Sequence, residues 1–358
     1  MRPLFALLAA AVVAASAVPA RAAETGLEKG TPALKSVSAL AFSPDGILFI
    51  GDSQAGTIYA VGTDDTKSAS AGDVAVDNLG DKVGSALGTT AANVTINDVK
   101  VNPASGNIYL AVTRGKGAEA TPVIARLDRT SGNVAEFPLK DVPCAKVTVP
   151  NAVVGNKRQE AFTSLAFVDG RVIVAGLSNE EFASTLRALP FPFKDADKGT
   201  SVEIFHGAHG KLETQAPVRT FVAYKISGAD YLLAAYTCTP LVKVPLADLK
   251  PGQKVKGTTI AELGNGNRPL DMIVYNKDGK DYILLANDKR GVMKILIDGF
   301  DSAEPITARP KGATAGVKYE TIKELTGVLQ LDKLDAGRAL VLAQAADKTL
   351  SLKSVPLP

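Results

Sequence analysis

The sequence predicts an all-β propeller of six four-stranded antiparallel blades, and three observations carry that prediction. One structural unit recurs six times along the chain, its copies stand at near-constant spacing, and no long helical period interrupts them.

The unit is a short apolar strand, a turn with Gly, Asp or Asn, a second apolar strand, a polar turn and a third strand. In the first copy Leu40-Ala41-Phe42 leads through Ser43-Pro44-Asp45-Gly46 into a strand at 47–50, then a turn at 52–56 and a strand at 57–61. The second places strands at 99–101, 108–112 and 122–127, and the third at 165–167 and 172–175 around Asp169-Gly170. The fourth has 222–224, 231–235 and 241–245, and the fifth 272–274, 282–286 and 292–297. The sixth has 328–330, 339–343 and 349–353. The anchors Leu40, Val99, Leu165, Val222, Met272 and Val328 are separated by 59, 66, 57, 50 and 56 residues. A seven-bladed ring and a pair of β-sandwiches are the alternatives, and the regular long period disfavours the sandwiches. Residues 178–188 read as one short helix in an insertion. The last unit shows three strands before Pro358, so a strand within residues 31–37 is expected to complete that blade and close the ring, protecting the sheet edges.

Ahead of the repeats stands a leader. Arg2 is followed by an almost wholly apolar run at residues 4–18 and then by Ala20-Arg21-Ala22. This is the charged, apolar and small-residue order of a secretory signal, with cleavage expected after Ala22, and the run is short for a membrane span of about 20 residues. The expected organisation is a signal peptide at 1–22 and a single propeller domain at 23–358, in the periplasm or secreted. Charged or turn residues interrupt every later apolar run, so no membrane span is expected. The formal charge of +3 includes Arg2 and Arg21, which leaves +1 on the mature chain. Such a chain lacks the electrostatic footprint of a nucleic-acid binder. The two cysteines, Cys144 and Cys238, read as one disulfide in an oxidising compartment.

The segments Leu40-Ala41-Phe42-Ser43-Pro44-Asp45-Gly46 and Gly56-Thr57-Ile58-Tyr59-Ala60-Val61 resemble propellers of the NHL and SMP-30/gluconolactonase-like superfamily. That resemblance covers most of the mature chain in pattern. It implies a channel metal that assists lactone hydrolysis, and Asp98, Asn179 and Asp271 match its Asn and Asp ligands, while the first blade has no Glu where the family carries one. The absence of Trp argues against the tryptophan-docking propellers that bind pyrroloquinoline quinone.

In a propeller, the loops after second strands and the links between blades fall on one face, and rigid scaffolds carry function on such loops. This face is expected to receive Arg114 and Tyr236 from second-strand loops and Arg268 at the mouth of an inner strand. It is also expected to receive Cys144 and Cys238, both within disulfide reach. The motif Phe205-His206-Gly207-Ala208-His209-Gly210 holds both histidines of the chain and falls on the same face, at the channel mouth. Two imidazoles three residues apart can chelate a transition metal or serve as acid and base. His206, His209, Tyr236, Arg114 and Arg268 are therefore the ligand-binding candidates, and Asp98, Asn179, Asp271, His206 and His209 the candidates for one divalent ion. The chain reads as a binding module for a small molecule or protein at the channel face, with a metal-assisted hydrolase as the second class.

Overall fold

The computed structural model describes residues 26–68, 72–238 and 240–358. The leader at 1–22 and its cleavage position lie outside the described residues.

Among the described residues the strands form six antiparallel blades around a channel. Blade 1 takes Leu40–Phe42, Ile47–Asp52, Thr57–Gly62 and Val142–Thr148, with Glu28–Gly30 added outside. Blade 2 is Val94–Val101, Ile108–Arg114, Thr121–Leu127 and Val134–Glu136. Blade 3 is Ser164–Val168, Arg171–Leu177, Ser184–Pro190 and Thr200–His206, extended by Lys211–Glu213. Blade 4 is Val218–Ile226, Ala229–Tyr236, Pro240–Pro245 and Thr258–Glu262. Blade 5 is Pro269–Lys277, Lys280–Asn287, Gly291–Leu296 and Glu320–Ile322. Blade 6 is Val328–Lys333, Arg338–Gln344, Leu350–Pro356 and, far back in the chain, Ala75–Val76.

The strands are apolar throughout because each blade is buried on both faces. With a side-chain period of two, Ile47 and Phe49 enter the core shared with blade 3, while Leu48 and Ile50 enter the core shared with blade 2. Blade 2 repeats the device, with Ile108, Leu110 and Val112 facing blade 6 and Tyr109 and Ala111 facing blade 1. The remaining cores lie between blades 3 and 4, 4 and 5, and 5 and 6. The order around the ring is therefore 1–3–4–5–6–2, so the first two blades exchange the places that chain order assigns them.

Two outer strands produce this exchange. Val142–Thr148 follows blade 2 in sequence but pairs with Thr57–Gly62 of blade 1, Cys144 opposite Val61. Ala75–Val76 precedes blade 2 but pairs with Leu352 and Lys353 of blade 6. The strand expected at 31–37 does not close the ring. Asp52, buried in blade 1, accepts hydrogen bonds from the N–H groups of Lys35 and Ser36 at 2.6 and 3.0 Å and holds this segment beside blade 1. Glu28–Gly30 pairs with Val142–Cys144 on the outside of blade 1 instead.

The link from blade 1 to Ala75 crosses the first hairpin of blade 2, and Asp65 anchors it. Its carboxylate accepts from Ser105 Oγ (2.9 Å), Asn107 Nδ2 (3.0 Å) and Tyr109 OH (3.0 Å), while Asn102 Nδ2 donates to its carbonyl at 2.8 Å. All five residues are buried, so the anchor meets the rule that a buried charge is paired with donors.

Residues 178–188 contain no helix; Ser184–Pro190 is the third strand of blade 3, paired along Arg171–Leu177. Arg187 sits inside it at 4% exposure, its guanidinium donating to the carbonyls of Pro150 and Asp197. The α-helix of the described residues is Leu79–Ala86, which lays Leu79 and Val83 on the core between blades 2 and 6. Phe191 and Phe193 pack edge-to-face on Phe49, with ring centroids 5.1 and 6.2 Å away. No helix among the described residues is long and apolar enough to cross a membrane.

Candidate functional site

Inner strands begin at one mouth of the channel, and four of them carry a β-bulge there, between Ile96/Asp98, Val218/Thr220, Pro269/Asp271 and Val328/Gln330. A bulge re-aims a side chain. Around this mouth lies a cavity of about 870 Å³ bordered by Lys35, Asn97, Glu160, Arg219, Arg268 and Gln330, among others. Arg219 donates to Glu160 Oε1 at 2.9 Å, while its Nε is buried without a hydrogen-bond partner. Burial and the neighbouring Arg268 guanidinium both pull the Arg219 pKa below its ordinary value. Three cations thus face one carboxylate.

Beneath the mouth the channel is crossed by a charged layer. Asp98, Asp271 and Asp332 each come from an inner strand, and each accepts a backbone N–H from the inner strand of the next blade. The donors are Leu40 (2.7 Å), Leu331 (3.1 Å) and Val101 (2.6 Å), respectively. These bonds stitch blade 2 to blade 1, blade 5 to blade 6 and blade 6 to blade 2. Lys100 Nζ stands 3.5 Å from Asp98 and 3.3 Å from Asp271. Turned to donate inward, the Gln330 amide bridges the same two carboxylates at 3.2 and 3.1 Å. Burial raises the pKa of Asp98 and of Asp332, with Lys100 acting against it. Burial opposes the charge of Lys100, but Asp271, Asp98 and Asp332 together raise its pKa. A second cavity of about 660 Å³, more apolar in its walls, opens on the far side of this layer.

This arrangement does not fit the channel metal that the SMP-30-like resemblance implies. The ammonium of Lys100 already stands between Asp98 and Asp271, in contact with both carboxylates where an ion would have to sit. Asn179 is not brought to them: it is exposed in the loop before Ser184–Pro190, with its N–H donated to the Asn151 carbonyl at 2.7 Å.

The histidines occupy the same face but a different radius. His206 ends the outer strand of blade 3, and His209 lies in the turn to Lys211–Glu213. Both sit at the rim between blades 3 and 4, not at the channel mouth. Glu213 clamps both rings, its two oxygens each 2.6 Å from one Nδ1, and the ring centroids are 3.9 Å apart. Burial lowers the His206 pKa against the pull of Glu213. Glu262, at the end of the outer strand of blade 4, accepts the Gly207 N–H at 2.6 Å, and burial pushes its pKa up to about 7. A Cβ at 207 would stand 2.9 Å from the Glu262 side chain, so any larger residue there would have to displace that carboxyl.

Cys238 joins the histidines, in the loop after Ala229–Tyr236. The expected Cys144–Cys238 bridge is absent: the two sulfurs are not bonded to one another. Cys144 is not in an interblade link but in the outer strand that completes blade 1, against Gly30. Of the other candidates, Arg268 lies exposed at the channel-mouth cavity. Arg114 turns away from it, bonding Thr121 and the Leu87 carbonyl. Tyr236 is 1% exposed and packs between blades 3 and 4. Sequence reasoning missed Lys35, Lys100, Glu160, Arg219, Glu213 and Glu262. For Glu213 a signal existed, since it stands four residues after His209.

No known family matches the sequence, and no curated protein does. Solved structures are matched in overall shape. One is a Thermus thermophilus protein assigned as an oxidoreductase (glucose dehydrogenase), at 12% identity and TM-score 0.36, covering 92% of this chain and 99% of that one. A chain of a mitotic checkpoint complex matches at 11% identity and TM-score 0.40, over 100% of this chain and 99% of that one. The pyrroloquinoline-quinone-bound aldose sugar dehydrogenase of Streptomyces coelicolor matches at 12% identity and TM-score 0.29, over 92% and 97%.

Proposed function

We propose that the chain is an exported binding propeller that takes an anionic small molecule in the mouth of its channel. The buried Arg219 Nε without a partner carries this reading, since a buried guanidinium donor is costly unless something accepts from it. Arg268 and Lys35 add positive charge to the same cavity, and Glu160 answers only one of the three. A guanidinium presents a planar fork that fits a carboxylate or phosphate. The cavity volume of about 870 Å³ suits a metabolite-sized ligand. Export rests on the leader, and sequencing of the mature N-terminus should begin at Ala23.

The test is a thermal-shift and calorimetric panel of gluconate, citrate and inorganic phosphate, each against a neutral sugar. A ligand at about 100 times its Kd should add about 2.7 kcal/mol of stability. Arg219→Ala should lose at least tenfold in affinity for whichever anion binds, and Arg219→Lys should recover only part. Stabilisation by the neutral sugar alone, or an Arg219→Ala variant that binds as tightly as the parent, refutes the reading.

A further inference from the structure

We propose that His206, His209 and Cys238 form a binding site for a borderline-soft transition metal ion, zinc or copper, at the rim between blades 3 and 4. This site is separate from the channel-mouth cavity and does not depend on what that cavity binds.

Three observations converge. The ligand atoms of the three residues all lie within 4.8 Å of one another. In addition, Glu213 holds the Nδ1 of both rings at 2.6 Å, which leaves each Nε2 as the nitrogen to offer an ion. A carboxylate on the far nitrogen is the usual outer partner of a metal-binding imidazole, fixing its tautomer and raising its basicity. Finally, His206 Nε2 is buried with no hydrogen-bond partner on a residue only 2% exposed. An ion would supply the interaction that this nitrogen otherwise lacks.

The donor set selects the ion. Two imidazoles and a thiolate suit zinc and copper, whereas calcium and magnesium require oxygen ligands. Bonds of about 2.1 Å to nitrogen and 2.3 Å to sulfur place tetrahedral ligands about 3.5 Å apart. From a spread of up to 4.8 Å, the set needs to close by about 1 Å. The mobile members are suited to that closure: the His209 side chain is 45% exposed on a turn, and Cys238 also sits in a turn. His206 is the fixed member, locked in the last residue of a strand. Three protein ligands leave a fourth position for water, the pattern of an open site.

The experiment titrates the purified protein, kept under a non-thiol reductant, with Co²⁺ and then with Zn²⁺ in competition. The expected result is one equivalent of Co²⁺ bound, with the visible bands of a four-coordinate ion and a sulfur-to-cobalt charge-transfer band, all displaced by Zn²⁺. Cys238→Ser should abolish the charge-transfer band, and His209→Ala should weaken binding at least a hundredfold. Both positions are partly exposed, so these variants should fold. Glu213→Gln should weaken binding about 10- to 100-fold by disorienting the rings. Cys144→Ser should bind like the parent. Absence of stoichiometric binding at micromolar metal, or a charge-transfer band that survives Cys238→Ser, overturns the assignment.

Discussion

Replacing Lys100 by Met tests whether the charged layer across the channel is held by that one ammonium. Its Nζ stands 3.5 Å from Asp98 and 3.3 Å from Asp271, and 18% of its side-chain surface is exposed. At an effective dielectric of about 20, each contact is worth about 5 kcal/mol of gross attraction, much of it offset by desolvation. Truncating one partner of a buried pair typically costs about 3–5 kcal/mol, because the other charge is left unanswered. The partial exposure lowers this to about 2–4 kcal/mol. The pH dependence fixes the mechanism. Asp98 and Asp332 have raised pKa values in the fold, so the folded chain holds more protons than the unfolded chain in the carboxylate range. Stability from these groups therefore falls as pH rises through that range. Lys100 acts to lower both values, so without it the folded carboxylates hold their protons to still higher pH. The deficit of Lys100→Met should be smaller near pH 5 than at pH 8, a range in which the parent lysine stays charged in both states. Urea denaturation at pH 5, 6.5 and 8 measures it, with Lys100→Met/Asp98→Asn expected to recover more than about 1 kcal/mol at pH 8. A deficit below about 1 kcal/mol, or one equal at pH 5 and pH 8, refutes the electrostatic account.

Two further perturbations probe the ring itself. Asp65→Ala removes the acceptor for Ser105, Asn107 and Tyr109, leaving three buried donors unanswered, and should cost about 2–4 kcal/mol. Limited proteolysis should then cut the link between blades 1 and 6 first, whereas an unchanged digestion pattern would show the link anchored elsewhere. Phe49→Ala empties a fully buried position stacked on Phe167 at 5.4 Å and flanked by Phe191, and should cost about 3–5 kcal/mol by denaturant titration. A loss below about 1 kcal/mol would mean that the aromatic cluster between blades 1 and 3 collapses into the space.

The blades were legible because two-sided burial leaves a plain sequence signal. Ile47-Leu48-Phe49-Ile50 has no polar residue, since its alternate side chains feed two different cores. The same signal hid the ring order, because an apolar strand reports that both faces are covered and not which blade covers them. Outer strands were poorly legible. Ala75–Val76 and Glu28–Gly30 are two and three residues long, with mostly exposed side chains and no apolar period. Ser184–Pro190 was misread because Glu180, Glu181, Ala183 and Leu186 are good helix formers, and tertiary pairing overrides that weak preference. The site was legible in residue type but not in partnership. His206 and His209 declared themselves by spacing, whereas Cys238 arrives from another blade. Lys100 reads as an ordinary exposed strand lysine, and its carboxylate partner Asp271 lies 171 residues away.

The exchanged blades also explain how an open chain closes this ring twice. Blade 1 has three strands until Val142–Thr148 arrives from beyond blade 2, and blade 6 has three until Ala75–Val76 arrives from before it. Blade 2 is thus the keystone, flanked in sequence by the strands that complete its two neighbours in space. The contacts that seal blade 6 are long-range: the Val74 N–H donates to Ser354 Oγ at 3.0 Å across 280 residues. Arg338 adds an ion pair to Asp73 at the same seam. Closing such loops costs entropy before any contact repays it, but the cost grows only logarithmically with length. The seam is therefore affordable thermodynamically while it slows folding, in the way that non-local topologies do. Asp98 and Asp332 hydrogen-bond across both borders of blade 2, to Leu40 and Val101, so the charged layer of the channel ties blade 2 to the same two neighbours that the returning outer strands complete. Loosening the charged layer at Lys100 should therefore be felt first at blade 2, the blade that both closures depend on.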